Sequence, residues 1–232
     1  MESRKLVPPA QFIDELENLR REHRKEFPFG QNLRGKSKEE IAEARKKRHV
    51  GGSDNHKFEG EKYLNCTAKS VRRMQLRKLI DEGGISTFGG KVPSHAMLDR
   101  LGTMEFGLSE EDILRLEKQD PPPDKLVVRG WWINHCRTAH WAVAIGSGMV
   151  VEGEKKVNPK KELEDLEQTR KEYAAMGIKN VHNAVWFDAE HAGVDVDHAN
   201  FNETVINQYV NTPELQDEMR KAFILRLQNQ GF

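Results

Sequence analysis

The strongest limit on how this chain can fold is its punctuation. Segments of helical spacing follow one another, each closed by a cap, a glycine pair or a proline, and none alternates as a strand does. Residues 10–24 carry Phe12, Leu16 and Leu19 at the spacing of one helix face. Ser37 precedes Glu40 by three places, a pair that can cap a helix reciprocally, so a helix is expected from Ser37 to Arg48. Another is expected from Thr67 to Ile80, with Val71, Met74, Arg77 and Leu79 as an imperfect inner face, ending before Gly83-Gly84. Ser94 opens the next, and Ser109 caps the one after it. Pro121, Pro122 and Pro123 break the chain. The long apolar stretch from Lys125 to Val151 reads as one core helix. A charged helix ends at Gly177, a long one spans Val181 to Val210, and a last one starts at Pro213. Residues 51–63 and 83–93 are rich in turn formers and read as irregular. The fold class expected is all-α, with residues 1–232 as a single domain.

Composition narrows the function classes. Lys plus Arg equals Asp plus Glu, for a formal net charge of +0, so no global field favours nucleic acid. No stretch approaches the roughly 18 apolar residues a membrane span needs. The amino terminus has no apolar core of a signal peptide. Cys66 and Cys136 fit neither a disulfide framework nor a zinc cluster. These readings point to a cytoplasmic protein. A charged fraction of 32% suits helices with one buried stripe each, or an oligomer with solvated outer faces, and a homodimer is the expected state.

Chemistry concentrates in one constellation. His191, Asp195 and His198 stand at i, i+4 and i+7 of the long helix, which puts them on one face. Imidazole with carboxylate is a donor set that iron, manganese or zinc accepts, and mixed nitrogen and oxygen donors favour the redox metals over calcium. The competing reading is a solvated polar face. Glu152 ends the small, apolar run WAVAIGSGMVVE. A buried carboxylate needs a partner, which a metal supplies; alternatively the helix surfaces there, since Glu154, Lys155 and Lys156 follow. Glu82 and His95 bracket the Gly-rich loop and converge if that loop folds back. With these three the donors number six, and carboxylates shared between two metals with histidines on each is a pattern of helical bundles.

The order of these segments resembles a known family. Leu79-Ile80-Asp81-Glu82, a Gly-containing loop and Pro93-Ser94-His95, then Ala144-x-Gly146 with Glu152, then Trp186-Phe187 before His191-x3-Asp195-x2-His198-Ala199 resemble the ligand segments of the heme-oxygenase-like diiron oxidases and oxygenases. That fold is shared with TenA thiaminases, the PQQ synthase PqqC and CADD-like proteins. The resemblance implies a heme-oxygenase-like helical bundle holding two iron ions per chain through Glu82, His95, Glu152, His191, Asp195 and His198, with dioxygen as co-substrate. It implies oxidation of a small amino-acid-like or fatty-acid-like substrate by N-oxygenation, desaturation or C–C cleavage, with an external electron donor. CADD-like members consume a tyrosine of their own near the segment that here reads Glu26-Phe27-Pro28-Phe29. Tyr63, Tyr173 and Tyr209 lie elsewhere, so an external substrate is expected. The alternative is a metal-free TenA- or PqqC-like enzyme, or a small-molecule binding protein of the same fold; a third is an interaction partner in a larger complex, which needs none of the six ligands.

Other residues carry weaker expectations. His135 and His140 read as core or supporting histidines, and Trp131, Trp132, Trp141 and Trp186 as core, with a pocket lining as the other possibility. Arg72, Arg73 and Arg77 read mostly as surface. The run Arg45-Lys46-Lys47-Arg48 reads as a solvated face, and His23, His49, His56 and His182 as surface groups.

Overall fold

The computed structural model describes residues 5–26, 33, 35–53, 55–84, 93–157 and 159–229; of residues 26, 55, 154–157, 159, 162 and 191–195 it describes the backbone alone. Among the described residues there is no strand, and twelve helices follow in order: α1 (Pro9–Glu26), α2 (Lys38–His49), α3 (Asn55–Asn65), α4 (Lys69–Glu82), α5 (His95–Met104), α6 (Glu110–Glu117), α7 (Pro123–Thr138), α8 (Trp141–Gly146), α9 (Met149–Val157), α10 (Pro159–Ala175), α11 (Val181–Tyr209) and α12 (Pro213–Gln228). The architecture is an all-α bundle. Local chemistry sets several starts. Ser37 and Glu40 form the expected reciprocal cap on α2, and Ser94, Ser109 and Thr212 accept from backbone amides at the starts of α5, α6 and α12.

α11 organises the interior. Its 29 residues extend about 43 Å, and it touches α9, α5, α10, α8, α1 and α4. One apolar cluster gathers Phe12 and Leu16 of α1, Val143 and Ile145 of α8, Val205 and Ile206 of α11, and Met219 and Phe223 of α12. A second holds Ile41, Phe106, Tyr173, Ile178, Ala184 and Val185. The small residues of α8 permit its close approach to α11: a Cβ on Gly146 would lie 2.6 Å from Ile206 Cγ1. No described helix is long and apolar enough to cross a membrane.

Five expectations are corrected. Lys125–Val151 is three helices, not one. The Asn65 amide donates to the carbonyls of Cys136 (3.0 Å) and Ala139 (2.9 Å), satisfying the end of α7, and His140 Nδ1 accepts from the Ala142 amide to start α8. Within the segment read as irregular, residues 55–65 form α3. Its inward face is charged: Glu59 and Lys62 are buried, so apolar periodicity does not reveal it. The inner face of α4 is Val71, Gln75 and Lys78, whereas Met74 is 42% exposed. His49 is buried, with Nε2 2.9 Å from Thr103 Oγ1 and Nδ1 3.2 Å from Glu117. Arg45, from the basic run, also turns inward, over the Phe106 ring and onto the Ala184 carbonyl. The glycine-rich loop 85–92 and the segment 27–29 lie outside the described residues.

Candidate functional site

Four of the six singled-out residues come together as two pairs. Glu82 ends α4 and His95 begins α5, with His95 Nδ1 2.9 Å from Glu82 Oε2. Glu152 of α9 faces α11, where His198 Nδ1 lies 3.9 Å from Glu152 Oε1. The four side chains retain only 10–13% exposure. Lys78, one turn before Glu82 on α4, reaches the second pair. Its ammonium donates to Glu152 Oε1 and stands 3.9 Å from Glu59 Oε1. Asn202 of α11 donates to the other oxygen of Glu152. Glu59 accepts from Lys62 Nζ at 2.7 Å and from Gln75 Nε2 at 2.5 Å. The outcome is a buried polar layer crossing α3, α4, α5, α9 and α11, where a bundle of this kind would otherwise place leucines.

The register of α11 connects the two pairs. Residues 187, 191, 195, 198 and 202 follow at steps of four, four, three and four, one stripe of a helix. At one end Phe187 meets the His95 ring edge-on at 6.1 Å. At the other, His198 and Asn202 meet Glu152. Residues 191 and 195 lie between them on that stripe; their side chains are outside the described residues.

Charges in this layer compensate one another. Burial pushes the Glu59 carboxyl up, but the Lys62 and Lys78 ammonium groups outweigh it and hold its pKa far below the usual carboxylate range. Burial pulls Lys78 down, and Glu152 with Glu59 more than reverses this, so it stays protonated. Burial likewise opposes ionisation of Glu82, and the hydrogen bond from His95 tips the balance to a lowered pKa. Glu82 is therefore a charged carboxylate beside an imidazole, and carboxylate with imidazole is a donor set whose chemistry fits iron or manganese. The same carboxylates are also served by protein cations and amides. Among the described residues, no three His, Cys, Asp or Glu side chains close around one point in a way that could hold a metal.

Glu59, Lys62, Gln75, Lys78 and Asn202 were not singled out from the sequence. A signal for them exists: Val71, Gln75, Lys78 and Glu82 follow at steps of four, three and four, a polar stripe where an apolar one is the rule. Of the remaining candidates, His140 is exposed and caps α8. Trp141 packs on Tyr209 in the core. Trp186 donates to Glu190. Trp131, Trp132 and His135 form one aromatic group on α7. Arg73 and Arg77 are exposed, and Arg72 lies over the Tyr63 ring. His56 and His182 are exposed, and His23 is half-buried.

Compared with known proteins, the sequence matches no family model and no curated protein.

Proposed function

We propose that the chain is a heme-oxygenase-like helical oxidase or oxygenase that holds two iron ions between α4, α5, α9 and α11. The observation that carries this reading is the gathering of Glu82, His95, Glu152 and His198 from four helices into one buried layer, with positions 191 and 195 on the stripe between them. Glu82 with His95 would serve one position and Glu152 with His198 the other, and His191 and Asp195 would complete the set. Bound iron supplies the electrons and the open coordination positions that dioxygen activation needs. The protein's share is to orient the donors and exclude water. Asn202 holds Glu152, and Phe187 packs edge-on against the His95 ring. The substrate class under this reading is a small amino-acid-like or fatty-acid-like molecule, with an external donor of electrons.

Anaerobic loading with Fe(II), followed by metal analysis, tests the proposal. Two irons per chain are expected, falling to one or none in Asp195→Ala, with oxygen uptake by the reduced, loaded protein. No iron bound by a chain whose helical circular dichroism is intact sinks the reading.

A second reading has its own observation. Lys78 already neutralises Glu152, and no described trio of donors closes on a point, so the layer is satisfied without a metal. Under that reading the same site is a metal-free binding or catalytic pocket of the TenA or PqqC kind.

A further inference from the structure

α7 turns to solvent a face unlike those of its neighbours. Val127 is 71% exposed and Leu126 58%, side by side in the first turns of the helix. Gly130 and Asn134 continue the same face and are also exposed. Between Asp124 and Arg137 none of these outward positions carries a charge. The two cations of that stretch turn to the end of α2: Lys125 donates to the carbonyls of Arg48 and Val50, and Arg129 to those of Gly51 and Gly52. The outward face of α10, by contrast, presents Glu164, Glu167 and Lys171. In a chain with 32% charged residues, an exposed helix face that is apolar and uncharged points to contact with another surface.

Gly130 sharpens the point. It stands in the middle of α7, where glycine weakens a helix relative to alanine. It does not adopt a positive φ, and nothing in the chain lies within 4 Å of its Cβ position. Neither the backbone nor packing within the chain requires a glycine there. What a bare Cα on an outer face permits is the close approach of a second helix.

The two ends of the face say which helix. Asp124 lies about 9 Å before Gly130 along the axis, and Arg137 about 10.5 Å after it. Both are exposed, and Arg137 keeps 61% exposure while it pairs with Glu61. A helix with an acid at its positive end and a base at its negative end, at nearly equal distances from a bare centre, is complementary to an antiparallel copy of itself. Leu64, 66% exposed, adds apolar surface beside the carboxyl end of α7, because the next residue, Asn65, holds the Cys136 and Ala139 carbonyls. We propose that the chain forms a two-fold dimer in which the outer faces of α7 pack antiparallel and cross at Gly130, with Asp124 of each copy against the partner's Arg137. One helix against another over about 24 Å buries less than the about 800 Å² per partner of tight complexes, so the dimer dissociates in the micromolar range. The dimer does not depend on the oxidase reading.

Sedimentation equilibrium of the full chain without added metal, from about 1 to about 100 μM, is the test. A monomer–dimer equilibrium inside that range is expected. Val127→Lys and Gly130→Glu should each weaken it by about tenfold or more, with helical circular dichroism unchanged, because each sets like charges against one another at the crossing. Asp124→Lys and Arg137→Glu should each dimerise poorly alone. A one-to-one mixture of those two should dimerise again, since both end contacts are then of opposite sign. A chain that stays monomeric throughout the range overturns the proposal and leaves the face to a different protein. A dimer unmoved by Val127→Lys and Gly130→Glu uses another surface, and a mixture no more dimeric than its components breaks the antiparallel register; either result is fatal. Should one of the two central variants not fold, the other decides.

Discussion

Lys78 shows what a single residue decides in this protein. Taken alone it is one more lysine in a charged helix. In the folded chain it is buried and shared between Glu152 and Glu59. Such a pair adds little to stability over an apolar replacement of both partners, but removing one partner strands the other. Lys78→Met in metal-free protein should therefore lose about 3–5 kcal/mol in urea unfolding, because Glu152 is left without its cation in a dry setting. The same substitution frees Glu152 for a metal, so Fe(II) affinity should rise rather than fall. An affinity that drops would mean Lys78 supports the metal position instead of competing for it. That Glu82, His95, Glu152 and His198 are more than surface groups was legible from donor chemistry together with the order of their segments. The partners Glu59, Lys78 and Asn202 were not, since lysines, glutamates and asparagines of this kind populate every helix surface.

At the scale of elements, the small residues between α7 and α9 matter most. Gly146 and Gly148 let α8 and α9 lie against α11, and a Cβ on Gly148 would stand 2.7 Å from Asn202 Nδ2. Gly146→Val should cost about 1–3 kcal/mol, because Ile206 Cγ1 and Met219 Cε are 2.6 and 2.7 Å from the new Cβ. Gly60 of α3 is the control: nothing lies within 4 Å of its Cβ position, so Gly60→Ala should stabilise by about 0.5–1 kcal/mol. Thermal melts of the two variants should move in opposite directions; equal losses would show that α3 resists any change. Helix starts with their own caps, such as α2 and α6, were readable. The break between α7 and α8 was not, because the group that ends α7 is Asn65, more than seventy residues away.

For the whole molecule, the buried charges predict how it meets acid. His135 titrates near 6.5 when unfolded but about 4 when folded, so the unfolded chain binds the extra proton between those values and stability falls as pH drops through that window. The loss should reach about 2–3 kcal/mol after solvent screening. Glu59 and Glu82, held below 4.5 in the fold, add a second loss as pH falls below 4.5. Urea midpoints of the metal-free chain across this range should show both steps, and His135→Gln should lack the upper one. A single step unchanged in that variant would place the acid response elsewhere. The sequence by itself determined that this chain is helical, roughly where its capped helices begin, and which histidines and carboxylates share the face of α11, because caps and 3.6-residue periodicity are local physics. Only the tertiary structure decided that α3 is a helix, that the core segment is three helices and that Lys78 and Glu59 are buried. Those outcomes depend on partners distant in sequence: a charged face becomes an inner face only when the opposite charges arrive from other helices.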